Sequence, residues 1–168
     1  SLHDALRILL SRGGGTSLAG QCCNVAVVLD FTKHLNRIID LDPQAKTARV
    51  QPGIVLDRLR EAAERHHLTF GPDPATHNHN TPGGMIGNNS CGTHSVMAGK
   101  TEENVIALDI LTYDGLRVSV GETPDDEYQR IVNGGGRRGE IYAGLKRIAD
   151  KYGDEIRRRY PDIPRRVS

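Results

Sequence analysis

Apolar positions along this chain fall into short runs, separated by stretches that almost lack them. Val25-Ala-Val-Val-Leu29, running on to Asp30, is a β-branched and aliphatic run that predicts a short buried strand. Ile38–Leu41 and Thr47–Gln51 flank Asp42-Pro-Gln-Ala-Lys46, which predicts strand, turn and strand, ended by Pro52-Gly53. Over residues 54–67, Ile54, Leu56, Leu59, Ala62 and Ala63 recur between charges as one face of an amphipathic helix. Asp57 lies near its start, where a carboxylate complements the helix dipole. Val105–Thr112 and Leu116–Val120 enclose Tyr113-Asp-Gly115, the pattern of a hairpin with an Asp-Gly turn. A short helix is expected over Asp125–Val132, a break at Asn133-Gly-Gly-Gly136, and an amphipathic helix over Glu140–Tyr152 with Gly153 as its cap. Residues 2–10 are too short to separate a helix end from a strand.

Two segments escape any periodicity. Arg12-Gly-Gly-Gly-Thr-Ser-Leu-Ala-Gly-Gln21 holds three consecutive glycines, two hydroxyls and a fourth glycine. Glycine lets a backbone reach positive φ and approach a ligand closely, and successive N–H groups in such a turn can form an anion-binding concavity. With Arg12 supplying a fixed positive charge, this segment reads as a phosphate-binding loop; the plainer alternative is a flexible turn. Residues 71–101 contain only Met85, Ile86, Val96 and Met97 as sizeable aliphatics. A nearly uncharged stretch of this length between two confident elements predicts a second ligand-wrapping loop rather than disorder.

Composition sharpens this picture in a few places. The chain has 168 residues, 19 of them Gly, no Trp and two Phe. High glycine without a repeat period suits long ordered loops. The net charge of +1 argues against bulk nucleic-acid binding. Residues 137–168 carry ten Lys/Arg and five Asp/Glu, interleaved at helical spacing, which reads as a solvated helix face. Three cysteines, Cys22, Cys23 and Cys91, two of them adjacent, make a disulfide framework improbable and point to a reducing, cytoplasmic compartment. No apolar run approaches the ~18 residues of a membrane span.

Commoner motifs fit poorly. A dinucleotide fingerprint fails at Leu18, where its third glycine should stand, and a strand rather than a helix is expected to follow. Gly99-Lys100-Thr101 ends like a P-loop, but His94 occupies the place of the first glycine. His77, His79, His94, Cys91 and the Cys22-Cys23 pair match no common zinc spacing, so no metal site is expected. Ser17, Ser90 and Ser95 lie in no nucleophile elbow.

Five spaced motifs, in order, carry a resemblance. They are Arg12-GGGTSLAG-Gln21, Val50-Gln-Pro-Gly53, Phe70-Gly-Pro-Asp-Pro74, Thr81-Pro-Gly-Gly-Met-Ile-Gly-Asn-Asn-Ser-Cys-Gly92, and His94-Ser95 with Gly99-Lys100-Thr101. Together they resemble the FAD-binding domain of the vanillyl-alcohol oxidase / p-cresol methylhydroxylase superfamily. The similarity is to its FAD-linked oxidase branch, which includes glycolate oxidase flavin subunits and D-lactate and D-2-hydroxyglutarate dehydrogenases. The resemblance implies an α+β fold of two small α/β lobes, the first about residues 1–74 and the second about 75–168. It also implies a chain truncated at both ends, without the C-terminal substrate or cap domain that would supply the catalytic residues.

The resemblance further implies non-covalent FAD. Arg12, Gly13, Gly14, Gly15, Thr16, Ser17, Gly20 and Gln21 would wrap the pyrophosphate. Pro72, Asp73, Thr81, Gly83, Gly84, Gly87, Asn88, Asn89, Ser90, Gly92 and Gly99 would line the pyrophosphate, ribityl chain and ring. The implied reaction is oxidation of a D-2-hydroxy acid, with electrons passed to an acceptor protein or domain. An iron–sulfur cluster would lie elsewhere in the parent protein, and any membrane association would be made through partners. The alternative is a nucleotide- or partner-binding module without turnover, favoured by the absence of a convergent acid–base set.

Overall fold

The computed structural model describes residues 9–160. The chain forms two compact units, the first reaching Asn104 and the second beginning at Val105. The lobe boundary expected near residue 74 therefore falls inside the first unit.

In the first unit, β1 (Leu9–Arg12) pairs in parallel with β2 (Val27–Asp30), Arg12 opposite Asp30. A parallel pair needs a long crossover, and here the glycine loop itself supplies it. The apolar run was expected to be buried; instead Val27, Val28 and Leu29 are 56%, 38% and 42% exposed. The physical reason is that a two-stranded sheet has too little surface to bury its own side chains. Asp30 then caps the short α1 (Phe31–His34), its carboxylate accepting from the Thr32 amide and hydroxyl at 2.9 and 2.6 Å. Those two bonds hold its pKa below the ordinary value against the opposing effect of desolvation.

The strand–turn–strand pattern forms as expected: β3 (Ile38–Asp42) runs antiparallel to β4 (Thr47–Val50). The amphipathic helix is α2 (Leu56–Glu64), with Asp57 in its first turn. Ile54, Leu56 and Leu59 face inward and join Met85 as the buried apolar core.

Residues 71–101 correct the expectation of a continuous loop. Pro82–Asn88 form a helix, α3, and Ser95–Ala98 a single turn, α4, followed by a 3-10 turn at Glu102–Asn104. Pro82 at the first helical position has its φ preset and no amide to orphan. Asn89 closes α3 in the left-handed conformation at φ 45°, and the Ser90 amide donates to the Met85 carbonyl at 2.9 Å. Three glycines hid this helix from propensity. Burial of Met85, at 1% exposure, and the bond from the Gly83 amide to the Pro52 carbonyl at 2.9 Å outweigh them.

In the second unit, β5 (Ala107–Leu111) and β6 (Arg117–Gly121) form the expected antiparallel hairpin, with Gly115 at φ 86° in its turn. Then come α5 (Asp125–Asn133) and α6 (Gly136–Arg159). Gly153 does not cap α6, because the helix continues through it. Ion pairs at helical spacing lie on either side of that glycine: Lys146–Asp150 before, and Arg157–Asp154 at 2.6 Å and Arg158–Glu155 at 2.7 Å after. Among the described residues no helix is long and apolar enough to cross a membrane.

Candidate cofactor-binding site

The first glycine loop and the second glycine-rich segment meet in the first unit. Gly14 lies so close to the following polar stretch that a Cβ on it would stand 2.0 Å from the His79 carbonyl oxygen. A Cβ on Gly13 would stand 2.2 Å from the Thr81 hydroxyl. At Gly15, with φ +70°, a Cβ would fall 2.7 Å from the Arg12 guanidinium, so the side chain of Arg12 folds back over its own loop.

Between these segments is a cavity of about 130 Å³. Eleven of the predicted positions line it: Arg12, Gly13, Gly14, Gly15, Thr16, Ser17, Gln21, Thr81, Gly84, Asn88 and Ser90. Ser11, Cys22, Thr76, Asn80 and Met85 also line it and are outside the cofactor-binding set expected from sequence. Asn80 and Thr76 sit in the uncharged run before Thr81, where no periodicity distinguishes an inward position from an outward one. Their only signal was adjacency to Thr81-Pro82.

The remaining predicted positions lie off this cavity, and most are engaged elsewhere. Pro72 is fully buried. Asp73 accepts from the His94 amide at 2.8 Å and from the His94 ring. Burial acts to raise the Asp73 pKa, but the two His94 bonds, with the charges of His94 and Arg60, outweigh it and hold the carboxyl below its ordinary 3.8. Gly92 abuts the Asp73 carbonyl, where a Cβ would be at 2.1 Å. Gly83 packs on Pro52, and Gly99, at φ +74°, packs on Glu103. Asn89 accepts from the Glu102 amide at 3.0 Å. Gly20, at φ +78°, and Gly87 have open space where a Cβ would be.

The chemistry of the lining is uniform. Among the described residues Arg12 is its one charged side chain, and the rest is glycine backbone, hydroxyls, amides, one thiol and one thioether. Such a donor set suits a di-anion held by a nest of amides, hydroxyls and a guanidinium. The space fits a diphosphate-sized group, with the ends of a dinucleotide extending beyond it. Two of the candidate metal ligands have carboxylate or amide partners: His77 bonds Asp57 at 2.7 Å, and His79 bonds Asn78 at 2.7 Å.

The profile of the FAD binding domain family matches residues 5–121, and the chain belongs to that family. Among curated proteins, the chain is 32% identical to D-2-hydroxyglutarate dehydrogenase of Pseudomonas putida over 94% of its length. It is 38% identical to glycolate oxidase subunit GlcD of Bacillus subtilis over 67% of its length. It spans only 16% of the first relative and 24% of the second. Alkyldihydroxyacetonephosphate synthase shares the fold, with a TM-score of 0.62 over 77% of this chain and 26% of that one, at 23% identity.

Proposed function

We propose that the cavity between the first glycine loop and α3 holds the diphosphate of FAD, and that the chain serves oxidation of a 2-hydroxy acid. The observation that carries the site is its lining: eleven predicted positions around one space, with Arg12 as the sole charge. The Gly13–Gly15 amides and the Thr16 and Ser17 hydroxyls would donate to phosphate oxygens, and Arg12 would balance their charge. Neutral donors fixed on a folded backbone need little reorganisation to receive an anion. Bound FAD would supply the two-electron acceptor for the substrate. The relatives named above point to substrates of the D-2-hydroxyglutarate or glycolate type.

The chain's own residues at the cavity bind and orient. Among the described residues the lining contains no His, Asp, Glu or Lys, so the group that takes the substrate hydroxyl proton is assigned to a position away from it. That same observation supports a second reading, a flavin- or nucleotide-binding module without turnover.

The test is reconstitution. Purified protein mixed with FAD should become yellow and retain the flavin on a desalting column. Arg12→Ala should weaken retention about tenfold or more, as expected for loss of one charge-assisted hydrogen bond. Retention unaffected by Arg12→Ala would remove the diphosphate assignment. Anaerobic D-2-hydroxyglutarate or glycolate should then bleach the flavin; flavin retained without bleaching by either acid would favour the module reading.

A further inference from the structure

Two neighbouring side chains in the cavity wall each carry a buried oxygen that has no hydrogen-bond partner among the described residues. Asn80 is 5% exposed and Thr81 1% exposed, and both Asn80 Oδ1 and Thr81 Oγ1 are buried and unpaired. Buried polar groups in folded proteins are paired in the great majority, so two adjacent orphans in one cavity wall call for an explanation. Three of the four backbone polar groups here are committed. The Asn80 amide donates to the Thr76 carbonyl at 2.8 Å, the Asn80 carbonyl accepts from the Leu56 amide at 3.1 Å, and the Thr81 carbonyl accepts from the Met85 amide at 2.9 Å.

Their chemistry differs. A threonine hydroxyl donates or accepts, whereas an amide oxygen only accepts. An ionised diphosphate offers acceptors alone. The phosphate side of the cavity already has donors in the glycine-loop amides, Arg12, Thr16 and Ser17. Asn80 Oδ1 is redundant for that task and electrostatically wrong for it. It requires an O–H or N–H on the guest. The atom is closed to water as it stands, so a modest turn of the amide about χ2, a broad and soft torsion for asparagine, must expose it to that donor. A full reversal would instead offer the Nδ2–H donors to the diphosphate, and the pyrophosphate arm of the test below reads that outcome.

Resting on the FAD reading of this cavity, we infer that Asn80 is a positioning residue that accepts a hydrogen bond from a sugar hydroxyl next to the diphosphate. It thereby sets where along the dinucleotide the glycine loop closes. Thr81, its neighbour, donates to the diphosphate itself. The hydroxyl belongs either to the ribityl chain or to the adenosine ribose, and the ligand series below separates them.

Affinities of the purified full chain for FAD, ADP and inorganic pyrophosphate are compared with those of Asn80→Leu, a near-isosteric apolar replacement. Asn80→Leu should lose about tenfold in FAD affinity while pyrophosphate affinity stays within about twofold, given the cost of leaving a ligand donor unmet. ADP affinity unchanged would place the hydroxyl on the ribityl chain; ADP affinity lowered in step with FAD would place it on the ribose. Thr81→Val should weaken all three ligands. Asn80→Ala gives the same comparison if the leucine variant does not fold. Equal losses for FAD and pyrophosphate, or no loss for FAD, would overturn the inference. Failure of the wild-type protein to take up FAD would instead remove the cofactor reading on which it rests.

Discussion

The two glycine-rich segments at the cavity put glycine to different uses. In the first, Gly13 and Gly14 are dictated by neighbours: a Cβ on either would collide with Thr81 or with the His79 carbonyl. In the second, Gly84 lines the cavity, and a Cβ there would meet only the Thr81 hydroxyl, at 3.6 Å. Gly87 would meet nothing within 4 Å, whereas Gly83, pressed on Pro52, and Gly92, against the Asp73 carbonyl, resemble the first group. One segment is glycine-rich so that two stretches of backbone can touch. The other keeps space open beside a helix that forms despite its glycines. Glycine count alone does not separate a packing role from a ligand role; the direction of the missing Cβ does.

That contrast can be broken most directly at Gly14. Gly14→Val places side-chain atoms inside the His79 carbonyl, so backbone must move, and destabilisation of about 3 kcal/mol is expected in urea unfolding. Loss of flavin in that variant would report a displaced loop, not a blocked phosphate. A variant as stable as the wild type would show that the loop does not pack on residues 79–80.

Gly84→Leu is the sharper probe. Its Cβ is accommodated and its remaining atoms enter the cavity. Flavin affinity should drop at least about tenfold, with the unfolding midpoint nearly unchanged because leucine is a better helix former than glycine. If flavin binding survived, the cavity would not be the cofactor site.

The smallest effect concerns the predicted residues that stand off the cavity. Asp73 has a depressed pKa in the folded protein, so its contribution to stability is complete above about pH 4 and is lost as pH falls through its lower folded value. Thermal midpoints measured from pH 6 to pH 3 should fall in the wild type, and Asp73→Asn should be lower at pH 6 and flatter below it. Flavin affinity at pH 7 should change little in that variant. A large loss of affinity without loss of stability would move Asp73 from the scaffold to the ligand.

Much of the fold was legible before any coordinates. The β3–β4 and β5–β6 hairpins follow from apolar runs around turn residues, and α2 from the spacing of Leu56, Leu59, Ala62 and Ala63. These are local signals, set by neighbours a few positions apart. The errors came where local and long-range forces disagree. The helix at Pro82–Asn88 is stabilised by burial of Met85 and by contact with Pro52, neither of which a window around its glycines reveals. α6 runs through Gly153 as part of a 24-residue helix, overriding the residue most apt to end it.

The sequence by itself determined that this chain carries two neutral glycine-rich segments in a particular order, and with them its membership of the FAD binding domain family. Residue types and their spacing are enough for that, because the chemistry of a diphosphate demands backbone donors, hydroxyls and close approach. Only the tertiary structure decided which of those residues share one cavity. It places Asp73, Gly92 and Gly99 off that cavity and Asn80 and Thr76 on it. That choice depends on contacts between positions some seventy residues apart in the chain, and no local pattern encodes which face of an irregular segment points inward.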